Sequence, residues 1–228
     1  PSPHNYGDES VSKIMYRVIW ALVPAFAVSL VFFGVGALIV TAIAITSCVA
    51  FEYLIAKYII KSKPTVWDGS AILTGLLLAF NVPSNLPIWI IILGSLVAIG
   101  IGKMSFGGLG KNPFNPALIG MSFLMLSWKA FFDFDAAYIN YEFNFTALAP
   151  LAALKFQGPA AVTEFFPLND LIMGQQVGAI GSTFGLGLIL GGIFLILRGY
   201  IRWEIPVSFI AGIIITALCF NLANPDTY

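Results

Sequence analysis

Two long stretches of this chain, residues 18–51 and 69–102, carry no charged side chain, and two shorter ones, 171–197 and 205–225, repeat the pattern. A helix needs about 20 consecutive apolar residues to cross the hydrocarbon core of a bilayer. Each of the first two runs therefore has room for a pair of crossing segments, and each of the last two for one. Lipid offers no hydrogen bonds to backbone groups, so such segments fold as helices. The composition agrees. Apolar residues make up 59% of the chain and charged residues 10%, against about 25% charged in soluble domains; mean hydropathy is +0.92. The net charge of zero leaves no electrostatic footprint for nucleic acid.

Glycine, proline and charge divide these runs. The expected segments are 18–33, 37–56, 69–82, 88–102, 117–128, 184–197 and 205–222, about seven in one all-α transmembrane domain covering residues 1–228. Gly34 and Gly36 mark the first turn, and Pro24 is a candidate kink. Segments 69–82 and 117–128 are short for a crossing, which is the pattern of broken or re-entrant helices in transporters. Residues 129–182 form a long outside loop, in which Asp133, Asp135, Glu142, Glu164 and Asp170 are interleaved with Phe and Tyr. With the N-terminus in the cytoplasm and every segment crossing, Lys13, Arg17, Lys57, Lys61, Lys63, Lys103, Lys111, Arg198 and Arg202 fall inside. Only Lys129 and Lys155 fall outside, a bias that follows the positive-inside rule.

Few residues in the apolar runs can carry chemistry. Cys48 and Cys219 sit among apolar neighbours and read as small packing residues; with no CxxC and one histidine, His4, the chain offers no iron–sulfur or metal ligand set. Asp68 opens a short segment, so it reads both as a helix cap and as an intramembrane ionisable group on an ion pathway. Glu52 lies near the end of the second segment, within reach of Lys57. The stretch from Phe106 to Gly120 holds Gly107, Gly108 and Gly110, which permit left-handed backbone. Asn115 followed by Pro116 reads as a helix cap with proline at the first helical position. Asn112 and Asn115 are candidates to line a pathway or to satisfy the turn. The aromatics of residues 131–145 suit either an interfacial belt or stacking on a ring.

Several of these elements together resemble one family. The opening Ser2-Pro3-His4, then Asp68-Gly69-Ser70-Ala71 with Thr74-Gly75-Leu76-Leu77-Leu78-Ala79, and Lys103 with Phe106-Gly-Gly-Leu-Gly and Asn112-Pro-Phe-Asn-Pro-Ala117, resemble the D subunit of the Rnf complex. The likeness extends more loosely to the B subunit of the sodium-pumping NADH:quinone reductase. It implies a urea-transporter-like inverted-repeat fold with broken helices, of which a C-terminal part lies beyond Tyr228. It also implies a flavin-carrying subunit of an ion-translocating ferredoxin:NAD oxidoreductase in a bacterial or archaeal cytoplasmic membrane, moving Na⁺ or H⁺ and partnered by the other Rnf subunits.

The expected cofactor is flavin mononucleotide (FMN), with riboflavin as a second possibility. The family esterifies the flavin phosphate to the threonine of Ser/Thr-Gly-Ala-Thr-Pro-Leu in the outside loop. The matching stretch here is Thr146-Ala147-Leu148-Ala149-Pro150-Leu151. Ala149 stands at the attachment position and has no hydroxyl, so it cannot form the ester. Thr146, at the first position of the motif, is the nearest hydroxyl. Lys155 is placed to meet a phosphate. Ser182 replaces the family's glutamate in Gly178-Ala-Ile-Gly-Ser-Thr183, so Ser182 and Thr183 also belong to the expected flavin-contacting set. The altered motif leaves two other readings open: a non-redox channel for a small polar solute on the same scaffold, and a scaffold subunit without flavin.

Overall fold

The computed structural model describes residues 10–62, 65–132, 134, 150–158, 165–174, 176 and 178–223. Among these residues it is all-helical, without strands. Helix α1 (Val11–Leu54) continues into a π-helical turn, Ile55–Ile60. After it come α2 (Ser70–Phe80), α3 (Ile88–Gly100), α4 (Pro116–Ser127), α5 (Pro150–Gln157), α6 (Leu168–Met173), α7 (Gly185–Leu197) and α8 (Glu204–Ala223). Among the described residues, three helical stretches are long and apolar enough to cross a membrane: Val11–Ile60, Ile88–Phe106 and Glu204–Leu222.

Straight, the 44 residues of α1 would extend about 66 Å at 1.5 Å per residue. The helix does not stay straight. Gly34 has φ 58° and ψ −141°, a backbone state open to glycine and costly for other residues. The two arms it separates fold back on each other, because both outer ends meet one short stretch. Ser12 donates to the Trp67 carbonyl, Met15 packs on Gly69, and Glu52 joins a network that includes Ser70. The expected pair 18–33 and 37–56 is thus a helical hairpin. The non-helical backbone lies at Gly34, while Pro24 stays within the first arm's helix.

Helix α2 packs along this hairpin. Gly75 permits the closest approach, since a Cβ there would lie 2.6 Å from the Ile45 Cα and 2.8 Å from the Ala44 carbonyl. The main core forms where Ala25, Phe33, Ala37, Val40 and Ala44 of the hairpin meet Leu76, Ala79 and Phe80 of α2, Ile90 and Ile91 of α3 and Leu124 of α4. A smaller core of Cys48, Ala56, Ala71, Ile99 and Met104 lies nearer the ends of the second arm and α3. That end of the bundle also receives Lys57, Lys61 and Lys103, and is called the basic end below. At the opposite end Trp89, Phe123, Trp128 and Phe131 pack edge to face, with centroids 5.4–6.2 Å apart.

With 11 residues, α2 is only about 16 Å long, half of what a bilayer core requires. The chain completes the distance in irregular form. Val82, Pro83 and Ser84 are buried without helical structure, and the Ser84 carbonyl lies against Gly36 at the hairpin's turn. The carbonyls freed by this break find donors far along the chain: the Gly181 N–H donates to Phe80 O at 3.0 Å and the Ile180 N–H to Val82 O at 3.2 Å. Helix α7 then runs along the first arm, with Gly191 against the Ala21 carbonyl. Arg17 lies over the Tyr200 ring at 5.2 Å. No residue of α8 with a described side chain is buried.

Candidate functional site

Three charged residues bound the first two charge-free runs: Glu52 ends one, Asp68 precedes the other and Lys103 ends it. The fold brings all three together at the basic end. The second arm and α3 both finish there and α2 starts there, so residues far apart in sequence come level.

The Glu52 side chain is 0% exposed and that of Lys103 2%. Lys103 Nζ donates to Glu52 Oε2 at 2.5 Å and to Ser70 Oγ at 2.5 Å. The Ser70 hydroxyl donates in turn to Asp68 Oδ1, also at 2.5 Å, and its N–H to the same oxygen at 2.8 Å. Thr65 donates to Glu52 Oε1 at 3.3 Å. Bonds therefore run from one buried ammonium to two carboxylates, one directly and one through a hydroxyl. Asp68 is half-buried and Trp67, beside it, is exposed, so Asp68 is the outermost carboxylate of the network.

Formally the network holds two negative charges and one positive. The N-terminus of α2, whose first N–H groups lie at Ser70, contributes the equivalent of roughly half a positive charge. Burying ions is costly unless each is paired and hydrogen-bonded, and here each has at least one partner. Above the network a buried polar face continues along the second arm. Thr41, Cys48 and Glu52 are spaced by 7 and 4 residues and so share one side of a helix with a 3.6-residue repeat. Across from them, Thr74 donates to the Ser70 carbonyl at 2.8 Å and Ser95, fully buried, to the Ala44 carbonyl at 3.5 Å. Thr41 Oγ1 is buried with no hydrogen-bond partner.

Asp68 does cap α2 through the Ser70 N–H, and it also joins the charge network. Glu52 pairs with Lys103, and Lys57 turns away to the Tyr53 hydroxyl at 3.0 Å. Asn115 caps α4 by accepting from the Ala117 N–H at 3.0 Å, with Pro116 at the first helical position. Asn112 donates to the Phe114 carbonyl at 2.7 Å. Both asparagines thus satisfy the turn, in which Gly107, Gly108 and Gly110 all have positive φ. Sequence reasoning singled out Asp68 but missed Lys103 and Ser70 as its partners. The signal was available, since opposite charges terminate two apolar runs of similar length.

Of the residues expected to contact flavin, Lys155, Ser182 and Thr183 are among those described. Thr146 and Ala149 lie outside the described residues. Ser182 is exposed and donates to the Ala179 carbonyl at 3.1 Å. Thr183 is 0% exposed, its hydroxyl unpartnered, in the loop that clasps the end of α2. Lys155 is exposed on α5 and borders a groove of about 1220 Å³ between α5 and α8, with Leu154, Phe209, Ile213 and Thr216 among its walls.

Comparison with known proteins adds a family. The NQR2, RnfD, RnfE family model matches residues 1–228. The D subunit of the proton-translocating ferredoxin:NAD(+) oxidoreductase complex of Clostridium ljungdahlii is 41% identical over 227 residues, covering 96% of this chain and 68% of that protein. The D subunit of the Na(+)-translocating ferredoxin:NAD(+) oxidoreductase complex of Acetobacterium woodii is 44% identical over 220 residues, covering 95% and 67%. The D subunit of the ion-translocating oxidoreductase complex of Cronobacter sakazakii is 34% identical over 261 residues, covering all of this chain and 74% of its own length.

Proposed function

Because this chain belongs to the NQR2, RnfD, RnfE family, we propose that it is the multi-pass D subunit of an ion-translocating ferredoxin:NAD oxidoreductase complex. In this reading it sits in a cytoplasmic membrane with its basic end inside, passes electrons, and couples them to movement of Na⁺ or H⁺. The observation that carries the reading is the match along the whole chain to relatives named for that complex. The bias of basic residues supports the orientation. The broken helix α2, clasped by the segment leading into α7, supports a urea-transporter-like arrangement in which irregular backbone is tolerated because protein buries it.

Ion movement needs ionisable or oxygen-bearing groups inside the bundle, and such groups are expensive in a membrane unless functional. Glu52, Asp68, Lys103 and Ser70 supply them at the inner mouth, and Thr74, Ser95 and Thr41 extend the polar face inward. Asp68 receives the cation at the mouth, where the α2 N-terminus keeps its carboxylate oriented. The choice between Na⁺ and H⁺ lies in how far those oxygens shed water.

A flavin would supply the one- and two-electron steps. The covalent linkage does not fit Ala149, which has no hydroxyl. Non-covalent binding fits the groove beside Lys155 better: the ammonium is placed for a phosphate, and Leu154, Phe209 and Ile213 offer apolar surface to a ring. Thr183 is too deeply buried to reach such a ligand.

Two measurements on the purified complex test the reading. Flavin fluorescence of this subunit on a denaturing gel is expected to be absent, with flavin instead released by extraction into the supernatant. Reduced ferredoxin with NAD⁺ is expected to drive ion uptake into proteoliposomes. Flavin at neither place would make this chain a scaffold. Solute flux without any redox partner would make it a channel.

A further inference from the structure

The ammonium of Lys103 occupies a position that a free cation could fill. It is held by oxygens, Glu52 Oε2 and Ser70 Oγ, both at 2.5 Å, and calcium, a hard cation of nearly the same radius as sodium, binds oxygen at about 2.3–2.6 Å. Two further oxygens stand one bond away: Asp68 Oδ1 on Ser70 and Thr65 Oγ1 on Glu52. The groups come from three separate parts of the chain: the second arm of α1, the start of α2 with the turn before it, and the end of α3. The charge balance leaves room for only one cation at a time. With Lys103 in place the formal charge is −1, offset in part by the α2 N-terminus; a second full cation beside the ammonium would meet like-charge repulsion at short range in a low-dielectric setting. The long, flexible lysine stem lets its compact ammonium swing without moving backbone.

We propose that Lys103 is a tethered occupant of a monovalent-cation site formed by Glu52, Ser70 and Thr65, with Asp68 at its mouth, and that a sodium ion advances past this point only by displacing the ammonium. This rests on the reading that the chain translocates ions, and it adds the group that blocks the way at rest. Among the described residues, the other lysines of the basic end point elsewhere, and Lys61 is exposed. Lys57 is held at Tyr53 and Tyr58 outside the bundle, and Lys111 is exposed in the Phe106–Gly120 turn.

The test uses the complete complex in proteoliposomes with no electron donor, so it does not depend on whether electrons flow through this chain. Passive entry of sodium and of protons is followed for the wild type, Lys103→Met, Lys103→Arg and the double variant Glu52→Gln/Lys103→Met. Lys103→Met is expected to raise passive sodium entry by about tenfold or more, because the carboxylate site then stands open without its cation. Lys103→Arg stays tight. The double variant, which has neither charge, also stays tight. The inference is overturned if Lys103→Met assembles and remains as tight as the wild type. It is equally overturned if the double variant leaks as much as Lys103→Met, since the lysine would then be only a steric plug, or if protons alone leak. Should Lys103→Met fail to assemble, Glu52→Gln decides, because it removes the anionic ligand and keeps the lysine stem in place. Sodium taken up per NADH formed then falls about tenfold or more; an undiminished ratio overturns the inference. A wild-type complex that moves no ions with electrons flowing would sink the proposed function itself, whatever the leak measurements show.

Discussion

Gly181 is where the broken helix α2 can be tested most directly. Its N–H bonds the Phe80 carbonyl at 3.0 Å, and a Cβ built on it would lie 2.2 Å from Phe80 Cγ and Cδ2 and 2.4 Å from Phe80 Cβ. Rotating the ring does not relieve the contact with Cβ, which is fixed to the backbone. Gly181→Ala must therefore push the loop off the end of α2 by roughly an ångström, enough to restore an ordinary contact distance. That separates the Gly181 and Ile180 N–H groups from the Phe80 and Val82 carbonyls. Overpacking costs about 1–3 kcal/mol, and each buried carbonyl left without a donor about 1–3 kcal/mol more. The sum is roughly 3–9 kcal/mol, and partial relaxation should hold it near the lower end. For a chain of this size each kcal/mol shifts the melting temperature by about 2–4 °C. The control is Gly192→Ala in α7, where nothing lies within 4 Å of the added Cβ and helix propensity favours alanine by about 1 kcal/mol. Thermal unfolding of detergent-purified protein, read by tryptophan fluorescence and by survival on gel filtration, compares the two. Gly181→Ala is expected to melt at least about 6 °C below the wild type, and Gly192→Ala at or above it. If the two variants melt together, the clasp between residues 180–181 and α2 has no energetic weight.

Three further outcomes follow from the same geometry. In a stability cycle, Lys103→Met alone costs about 3–5 kcal/mol by stranding the Glu52 carboxylate, while Glu52→Gln/Lys103→Met restores most of the loss; thermal unfolding of the singles and the double measures the coupling. Asn115→Ala removes the side-chain acceptor at the start of α4 and lowers stability by about 0.5–2 kcal/mol, whereas Asn115→Asp retains it; the same melts decide. Gly34→Val forces a β-branched residue into positive φ at the hairpin's turn, and it is expected to destabilise by about 1–3 kcal/mol and to reduce the yield of monodisperse protein.

Much of the helical layout could be read from charge and hydropathy, because lipid leaves helices as the main solution for long apolar runs. The cap at Asn115 and Pro116 and the break near Gly34 were also legible, since each rests on the chemistry of one or two adjacent residues. The charge network was only half legible. Asp68 stood out as an ionisable group opening a short segment, but its partnership with Lys103 depends on the second arm and α3 ending at the same level, which no local pattern specifies. Glu52 illustrates the same limit: proximity in sequence suggested Lys57, about one helical turn away, whereas the fold supplied Lys103. The clasp of α2 by residues 180–181 left no mark in side-chain chemistry, because both bonds are between backbone groups.

That clasp carries a consequence for how the protein comes to be made. The carbonyls of Phe80 and Val82 emerge from the ribosome roughly 100 residues before the N–H groups that satisfy them, which at about 5–20 residues per second is a delay of roughly 5–20 s. During that interval the end of α2 and the irregular stretch after it have acceptors without their final donors. A membrane gives such a segment no water to fall back on. The half-made protein is therefore expected to keep α2 at the surface or within the insertion machinery, and to seat it only when residues 178–184 arrive with α7 behind them. In this chain the first half of the bundle is finished by the second.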